Sequence, residues 1–197
     1  MTPRLRGPAA MKALALAALA ALPFTSRAHR LDEYLQAALI EVRSNEIGVQ
    51  LNLAPGVEVA ERVARMIDRD RDGKISRAEG RAYARTVVAQ LALRLDDRPL
   101  KLELLRERFD PIPDLKAGTG NIRIECRARP GRLGAGEHVV SFHNRHRPEI
   151  SVYLVNAVLP RDAAIQIGKQ EREDNQSAGR IHFTIAPTPA APGKSSR

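Results

Sequence analysis

The sequence predicts a mainly β, α+β fold, namely an antiparallel β-sandwich or open barrel with one inserted helix–loop–helix unit. Apolar residues alternate with polar ones in many short stretches, and turns rich in proline, glycine or charged residues separate these stretches. This pattern is typical of sandwiches and barrels. One region, at about residues 57–90, instead repeats its apolar residues every three or four positions, as amphipathic helices do.

A secretory signal peptide is predicted over residues 1–28. Basic residues precede a run over residues 13–22 that contains only alanine and leucine, and Ser26 and Ala28 place small residues before a cleavage site. A membrane-spanning helix needs roughly 20 apolar residues. This run is therefore too short to span a bilayer, and no later stretch is a better candidate, so we expect a protein that does not itself span the membrane.

Cleavage after Ala28 gives a periplasmic or secreted product that starts at His29, whether translation begins at Met1 or Met11. The signal peptide holds four of the 32 basic residues and none of the 23 acidic ones, so its removal lowers the net charge from +9 to about +5. Aromatic residues are few, and no basic cluster is interleaved with rings. These features argue against nucleic acid as a partner.

The mature chain is predicted to form one domain over residues 29–186 that starts with a β-hairpin. Tyr34–Val42 is the first strand, and residues 43–46 form the turn. In the second strand Ile47, Val49 and Leu51 alternate with polar residues, as in a half-buried strand.

A second hairpin is predicted after the helical region, because leucines alternate over residues 91–95 and again over 100–104 around a polar turn. Two prolines and two glycines then predict a loop over residues 106–120. Further strands are expected over residues 121–128, 137–143, 151–155, 164–169 and 180–186. Residues 187–197 are rich in proline, alanine and serine and predict a disordered tail.

The helical region encloses residues 68–79, which read D-x-D-x-D-G-x-I-x-x-x-E, the pattern of the twelve-residue calcium loop of an EF-hand. Gly73 stands at the sixth position, where the backbone turns sharply. Ca²⁺ prefers six to eight oxygen ligands. Carboxylates, one main-chain carbonyl and one hydroxyl that acts through water supply them, and the expected ligand residues are Asp68, Asp70, Asp72, Lys74, Ser76 and Glu79.

Apolar residues at helical spacing flank the loop on both sides and predict a helix–loop–helix inserted between the second and third strands. They are Val59, Val63, Met66 and Ile67 before the loop, and Tyr83, Val87 and Leu91 after it. A second interpretation stays open, in which the loop is an ordinary turn. Aspartates with a glycine favour turns, and Ser76 with Glu79 also fits a helix capping box.

The sequence contains a single EF-hand, whereas such hands commonly pair through the residue at the eighth position, here Ile75. Four basic residues in the loop offset its four carboxylates. Because ligand charge tunes affinity, we expect a Kd on the order of 10⁻⁴ to 10⁻³ M, the range of extracellular modules. Such a site favours a structural role for the calcium ion over a sensing role.

Other candidate sites are less specific. The pair His143 and His146 has H-x-x-H spacing but lies at a predicted turn, so a transition-metal site and a solvated turn are both open. An amino-terminal His29 offers an amine and an imidazole for Cu(II). The single cysteine, Cys126, alternates with apolar residues and predicts a buried, inert thiol rather than a reactive one. Catalytic motifs such as G-x-S-x-G and H-E-x-x-H are absent from the sequence, and we expect no enzymatic activity.

Several segments together resemble a family of bacterial periplasmic single EF-hand domains that begin A-H-P-L. They are Ala28-His29-Arg30-Leu31, the Pro55-Gly56-Val57 that introduces the hand, residues 93–99 and residues 143–148. Some members of that family are similar to the extracytoplasmic part that precedes nickel/cobalt-type permease segments. Arg30 replaces the usual proline and no membrane segment follows. The resemblance therefore implies a transport role only through a partner or through a missing downstream part, and it implies the same six calcium-ligand residues.

Two functional hypotheses follow, beside a third in which the protein is a hydrolase whose site the sequence does not reveal. The first is an exported calcium-binding, non-enzymatic accessory or interaction domain whose EF-hand is a structural calcium site, with an envelope or membrane transport protein as its partner. The alternative is a periplasmic accessory protein for nickel, cobalt or copper transport or sensing, acting through His29, His143 and His146.

Overall fold

The computed structural model describes residues 32–187; the predicted signal peptide, His29 and residues 188–197 lie outside the described residues. The described part contains ten strands and three helices. The strands are β1 (Tyr34–Val42), β2 (Ile47–Pro55), β3 (Leu91–Leu95), β4 (Arg98–Leu100), β5 (Glu103–Phe109), β6 (Ile122–Ala128), β7 (Gly136–Asn144), β8 (Ser151–Ala157), β9 (Ile165–Arg172) and β10 (Ala178–Ile185). The helices are α1 (Val57–Ile67), α2 (Arg77–Ala89) and α3 (Ile112–Lys116).

The strands form two open five-stranded sheets, which we call sheet 1 (order β5-β6-β2-β1-β8) and sheet 2 (order β4-β3-β7-β10-β9). Inward side chains of both sheets belong to one hydrophobic core. The predicted sandwich is thereby confirmed. One pairing differs from the antiparallel expectation, because β1 and β8 run parallel, with Tyr34 opposite Ser151.

The first hairpin and the position of the helix–loop–helix agree with the prediction. β1 pairs with β2 from Tyr34 opposite Pro55 to Val42 opposite Ile47. The α1 and α2 helices lie between β2 and β3 in the chain. Their apolar faces join the sandwich core through Val63 and Ile67 of α1 and through Tyr83, Ala84 and Val87 of α2.

The predicted second hairpin is only partly right. β3 pairs with the short β4, with Leu93 opposite Leu100. The chain then leaves sheet 2, and β5 pairs with β6 in sheet 1, with Leu104 opposite Cys126. Alternating leucines predict an extended backbone, but they carry no information about which sheet the strand joins.

The predicted loop over residues 106–120 is wrong, because this stretch contains the end of β5 and the whole of α3. β5 is an edge strand with mostly charged residues, so it lacks a clear alternation. The two prolines open α3 instead of breaking structure: Pro111 is its N-cap, and Pro113 lies in its first turn, where no helical N–H is required. Ile112 and Leu115 of α3 are buried.

Side chains from β9 protect the free edge of β8. The Arg172 Nε donates to the Val155 carbonyl at 2.8 Å, and the Ala157 N–H donates to Gln170 Oε1 at 3.1 Å. These bonds occupy backbone groups that an edge strand otherwise presents to a further strand. They also join the two sheets along one side of the sandwich.

Candidate metal centre

The loop over residues 68–79 joins two helices whose ends fix its geometry. Helix α1 ends at Ile67, and the Asp68 N–H still donates to the Ala64 carbonyl at 2.9 Å. Between the helices the backbone is left-handed at Arg71 (φ 63°) and Gly73 (φ 80°). Glycine adopts such a backbone without a Cβ clash, which explains the residue at the sixth loop position.

Asp68, at the first loop position, has one engaged carboxylate oxygen and one free one. The residue is only 8% exposed. Its Oδ2 accepts from the Gly73 N–H at 3.0 Å, whereas its Oδ1 is buried and has no hydrogen-bond partner. A buried carboxylate oxygen without a partner is costly. A cation in the loop would satisfy this oxygen, so the residues fit a bound Ca²⁺.

Glu79, at the last loop position, accepts hydrogen bonds on both oxygens. Its Oε1 accepts from the Arg69 N–H at 2.6 Å, and its Oε2 accepts from the Ser76 hydroxyl at 2.7 Å and the Ser76 N–H at 3.0 Å. The hydrogen bond from the Ser76 hydroxyl is the largest cause of a pKa of about 2 for Glu79, well below its ordinary value. Hydrogen bonds from the Ser76 and Arg69 backbone N–H groups lower this pKa further. The carboxylate is therefore ionised at neutral pH, as a calcium ligand must be.

Three of the expected ligands converge. One carboxylate oxygen each from Asp68, Asp70 and Glu79 lies within 4.8 Å of the others. Asp72 lies outside this group, and its Oδ1 accepts from the Lys74 N–H at 2.8 Å. Ligand roles for Asp72, for the Lys74 carbonyl and for Ser76 stay predictions from the sequence.

The alternative role of Ser76 and Glu79 is also present. Ser76 is the N-cap of α2, and the Ser76 and Glu79 side chains complete a capping box. The capping box by itself explains the pairing of these two residues. It does not account for the free Oδ1 of Asp68.

The basic residues of the loop form no ion pairs with its carboxylates. In the described part of the chain, the side chains of Arg69, Arg71, Lys74 and Arg77 form no ion pair and no hydrogen bond. All four residues are exposed. They reduce the negative potential of the loop without blocking its oxygens.

A segment that the sequence suggested was a loop covers one side of the α1–loop–α2 unit, which the sequence predicts as an EF-hand and which we call the hand. A Cβ added to Gly80 would lie 3.0 Å from the ring of Phe109 in β5 and 3.5 Å from Ile75. Arg81 of α2 pairs with Glu107 of β5 at 2.9 Å. The hand therefore packs against β5 on the side of Ile75, the residue through which hands commonly pair.

Helix α3 covers α1 in the same way. Lys116 pairs with Glu61 of α1 at 2.7 Å, and a Cβ added to Gly118, just after α3, would touch Val57 at 3.0 Å. Together, β5 and α3 hold both helices of the hand against the sandwich. No signal in residues 106–120 pointed to this role, because exposed charges and prolines dominate the stretch.

His146 is buried, contrary to the solvated turn considered for it, and it belongs to a hydrogen-bond network below α2. It is 1% exposed. Its Nδ1 lies 2.7 Å from Gln90 Oε1, and its Nε2 lies 3.1 Å from the Tyr83 hydroxyl, which in turn lies 2.9 Å from the Tyr34 hydroxyl. An amide oxygen only accepts, so Nδ1 carries the proton and Nε2 accepts from Tyr83. Both ring nitrogens are thus occupied and leave no lone pair for a metal.

Burial is the main reason that the pKa of His146 falls to about 4, and the nearby positive charge of Arg147 also lowers it. The imidazole is therefore neutral at neutral pH. Burial also raises the pKa of Tyr83 to about 12. The network continues to β1, where Gln36 Nε2 donates to the His146 carbonyl at 2.9 Å. Gln36 was a usable signal in the sequence, since it stands at an inward position of an alternating strand beside Tyr34 and Ala38.

The structure separates the remaining candidates. His143 lies on the outer face of sheet 2, whereas His146 is buried, so the two imidazoles do not share a site. Among the described residues, the only group of three or more metal-ligating side chains is that of the EF-hand loop. Cys126 is buried, as predicted, and burial raises the pKa of its thiol to about 12.

No model of a known protein family matches the chain, and the comparison with curated proteins also finds no match. Among the described residues, no helix combines the length and the apolar character that crossing a membrane requires.

Proposed function

We propose that this protein is an exported, calcium-binding accessory or interaction domain that has no catalytic activity, and that its EF-hand is a structural calcium site. The buried Asp68 Oδ1 without a hydrogen-bond partner carries the proposal. It lies beside carboxylates of Asp70 and Glu79, within reach of one ion. Asp68, Asp70, Asp72, Lys74, Ser76 and Glu79 would hold that ion.

A bound Ca²⁺ supplies positive charge that neutralises the loop carboxylates. The loop connects α1 and α2, which both contribute to the sandwich core. Binding to the folded state alone adds RT ln(1 + [L]/Kd), or about 1.4 kcal/mol at ten times Kd. This favours a structural role, in which the ion stabilises the α1–α2 unit on the sandwich, and an envelope or transport protein is the proposed partner of the assembled domain.

A calorimetric Ca²⁺ titration into the millimolar range tests the proposal, with Glu79→Gln as the variant and Glu173→Gln as the matched surface control. We expect a Kd on the order of 10⁻⁴ to 10⁻³ M for the wild type and the control. Glu79→Gln removes one ligand charge and should abolish the heat of binding. Absence of heat in the wild type, or unchanged binding in Glu79→Gln, contradicts the proposal.

We do not extend the proposal to a transition metal held by His143 and His146. The imidazole nitrogens of His146 are both hydrogen-bonded. His143 lies on the outer face of sheet 2.

A further inference from the structure

Sheet 2 has a groove on its outer face, and no residue of the 68–79 loop lines it. Its volume is about 450 Å³, which lies in the range of small-molecule sites. The inward residues of its strands include Leu93, Phe142 and Ile181, which are buried. Because side chains alternate along a strand, their neighbours point outward and line the groove.

Two rows of residues cross the sheet in this groove. In the first row, Arg94 of β3 and Arg180 of β10 both stand directly opposite Ser141 of β7. Neighbouring strands place paired Cα atoms about 5 Å apart, so the two arginines flank the serine at about 10 Å from each other. In the second row, Ala92 and Ala178 stand on either side of His143. The small alanines form a low apolar floor beside the polar row.

Four polar side chains of the groove, those of Arg94, Ser141, His143 and Arg180, can donate hydrogen bonds. In the described part of the chain, the side chains of Ser141, His143 and Arg180 have no hydrogen bond and no ion pair within contact distance, although Arg180 stands directly opposite Glu171 and interacts with its charge. Arg94 donates only to the Asp97 carbonyl, which leaves most of its guanidinium N–H groups available. Converging donors that include two guanidinium groups match the oxygens of an anion.

Acidic residues that line the groove favour an anion of low charge. Asp97, Glu171 and Glu173 also line the groove. Lys169 at 2.6 Å partly neutralises Glu171. The remaining acidic groups disfavour a phosphate dianion more than a monoanion, since repulsion scales with ligand charge.

We propose that this groove binds a small organic monocarboxylate, with its carboxylate between Arg94, Ser141 and Arg180 and its apolar body on Ala92 and Ala178 beside His143. The site is separate from the calcium loop, and the inference does not depend on calcium binding. It assigns a ligand class to a face of the domain that the proposed calcium role leaves unused.

The test is an NMR titration of the ¹⁵N-labelled protein with sodium butyrate, with inorganic phosphate in a parallel series at constant ionic strength. We expect saturable shifts of the amides in β7 and β10, with a Kd on the order of 1 mM for so small a ligand. Arg180→Gln should weaken butyrate binding at least tenfold. Arg108→Gln, an exposed strand arginine in β5 with the same charge change, should leave it unchanged.

Three results would overturn the proposal. They are butyrate shifts that do not saturate, equal butyrate affinity in Arg180→Gln, and tighter binding of phosphate than of butyrate. The last result identifies an inorganic oxyanion site and not a carboxylate site. Arg180 is exposed, so its substitution should not prevent folding.

Discussion

At the scale of single residues, Asp68 combines a structural bond and a free ligand atom in one carboxylate. Its Oδ2 accepts from the Gly73 N–H and shapes the loop, whereas its Oδ1 is buried without a partner. The loop thus carries an energetic cost in the absence of a cation. The sequence predicted the ligand residues from their spacing alone, whereas only the structure reveals that one buried oxygen of Asp68 has no hydrogen-bond partner.

Asp68→Asn is therefore expected to abolish calcium binding and to raise the stability of the calcium-free protein. An amide can keep the bond from Gly73 through its oxygen, and its NH₂ group can donate to the neighbouring carboxylates in place of the free oxygen. We expect the free energy of unfolding without calcium to rise by about 1 kcal/mol. Calorimetry should detect no calcium binding, and urea unfolding in chelator should detect the gain. A large loss of stability in chelator would contradict the assignment of a strained, unpartnered oxygen.

His146 is the residue that sequence reasoning placed least well. An H-x-x-H near a proline suggested a turn or a metal site, but tertiary contacts bury His146 against Tyr83 of α2 and Gln90, the C-cap of that helix. Those partners lie 63 and 56 residues away in the chain, so no local pattern reveals them.

A pH dependence of stability follows from this burial. Burial lowers the pKa of His146 in the folded protein to about 4, from its ordinary value of 6.5. Between these values the unfolded chain binds a proton that the folded chain does not, so stability falls as pH decreases from 6.5 to 4. The full loss is about 3 kcal/mol. Burial alone would lower the pKa of His138, but its hydrogen bonds to Asp96 and Gly134 outweigh burial and raise that pKa. The stability that His138 contributes to the folded protein is therefore lost only as pH rises above 6.5.

Urea unfolding at pH 6.5 and pH 5 measures this effect, and His146→Gln provides the comparison. The variant should be less stable at pH 6.5 and should lose less stability on acidification than the wild type. An equal loss in both proteins would show that His146 does not cause the acid sensitivity.

At the scale of elements, the hand is held by β5 and α3, which the sequence led us to expect as a loop. Strands in which inward apolar residues alternate with outward polar residues were predicted well, because this periodicity indicates burial of one face. β5 is an edge strand with mostly charged residues, and α3 is a short helix that begins at prolines. Neither element therefore shows that periodicity. Only the tertiary structure shows that Leu115 is fully buried.

Leu115→Ala tests whether α3 is a structural support for the hand. Truncation of a fully buried leucine should lower the free energy of unfolding by about 2–5 kcal/mol. The matched control is Leu105→Ala in β5, where the side chain is 43% exposed, and it should cost less than about 1 kcal/mol. Chemical denaturation compares the two. Similar small losses in both variants would mean that α3 does not support the core.

At the scale of the whole molecule, the fold class was predictable and the strand order was not. Alternation and turn residues indicate strands, but β1 pairs with β8 across more than a hundred residues of sequence, in parallel. Such pairings depend on the joint burial of two sheet faces and not on local sequence. The same topology brings the loop over residues 68–79 and the groove of sheet 2, two chemically different candidate sites, into one domain.

The melting temperature with and without calcium tests the central claim most directly, since it reports on the ion, the loop and the sandwich together. With 10 mM Ca²⁺ and a Kd near 1 mM, about 1.4 kcal/mol of stabilisation is expected. For a domain of this size this corresponds to a rise of about 3–6 °C. The rise should be absent in Glu79→Gln and in Asp68→Asn. An unchanged melting temperature in the wild type, or the same rise in both variants, would contradict a structural calcium site in residues 68–79.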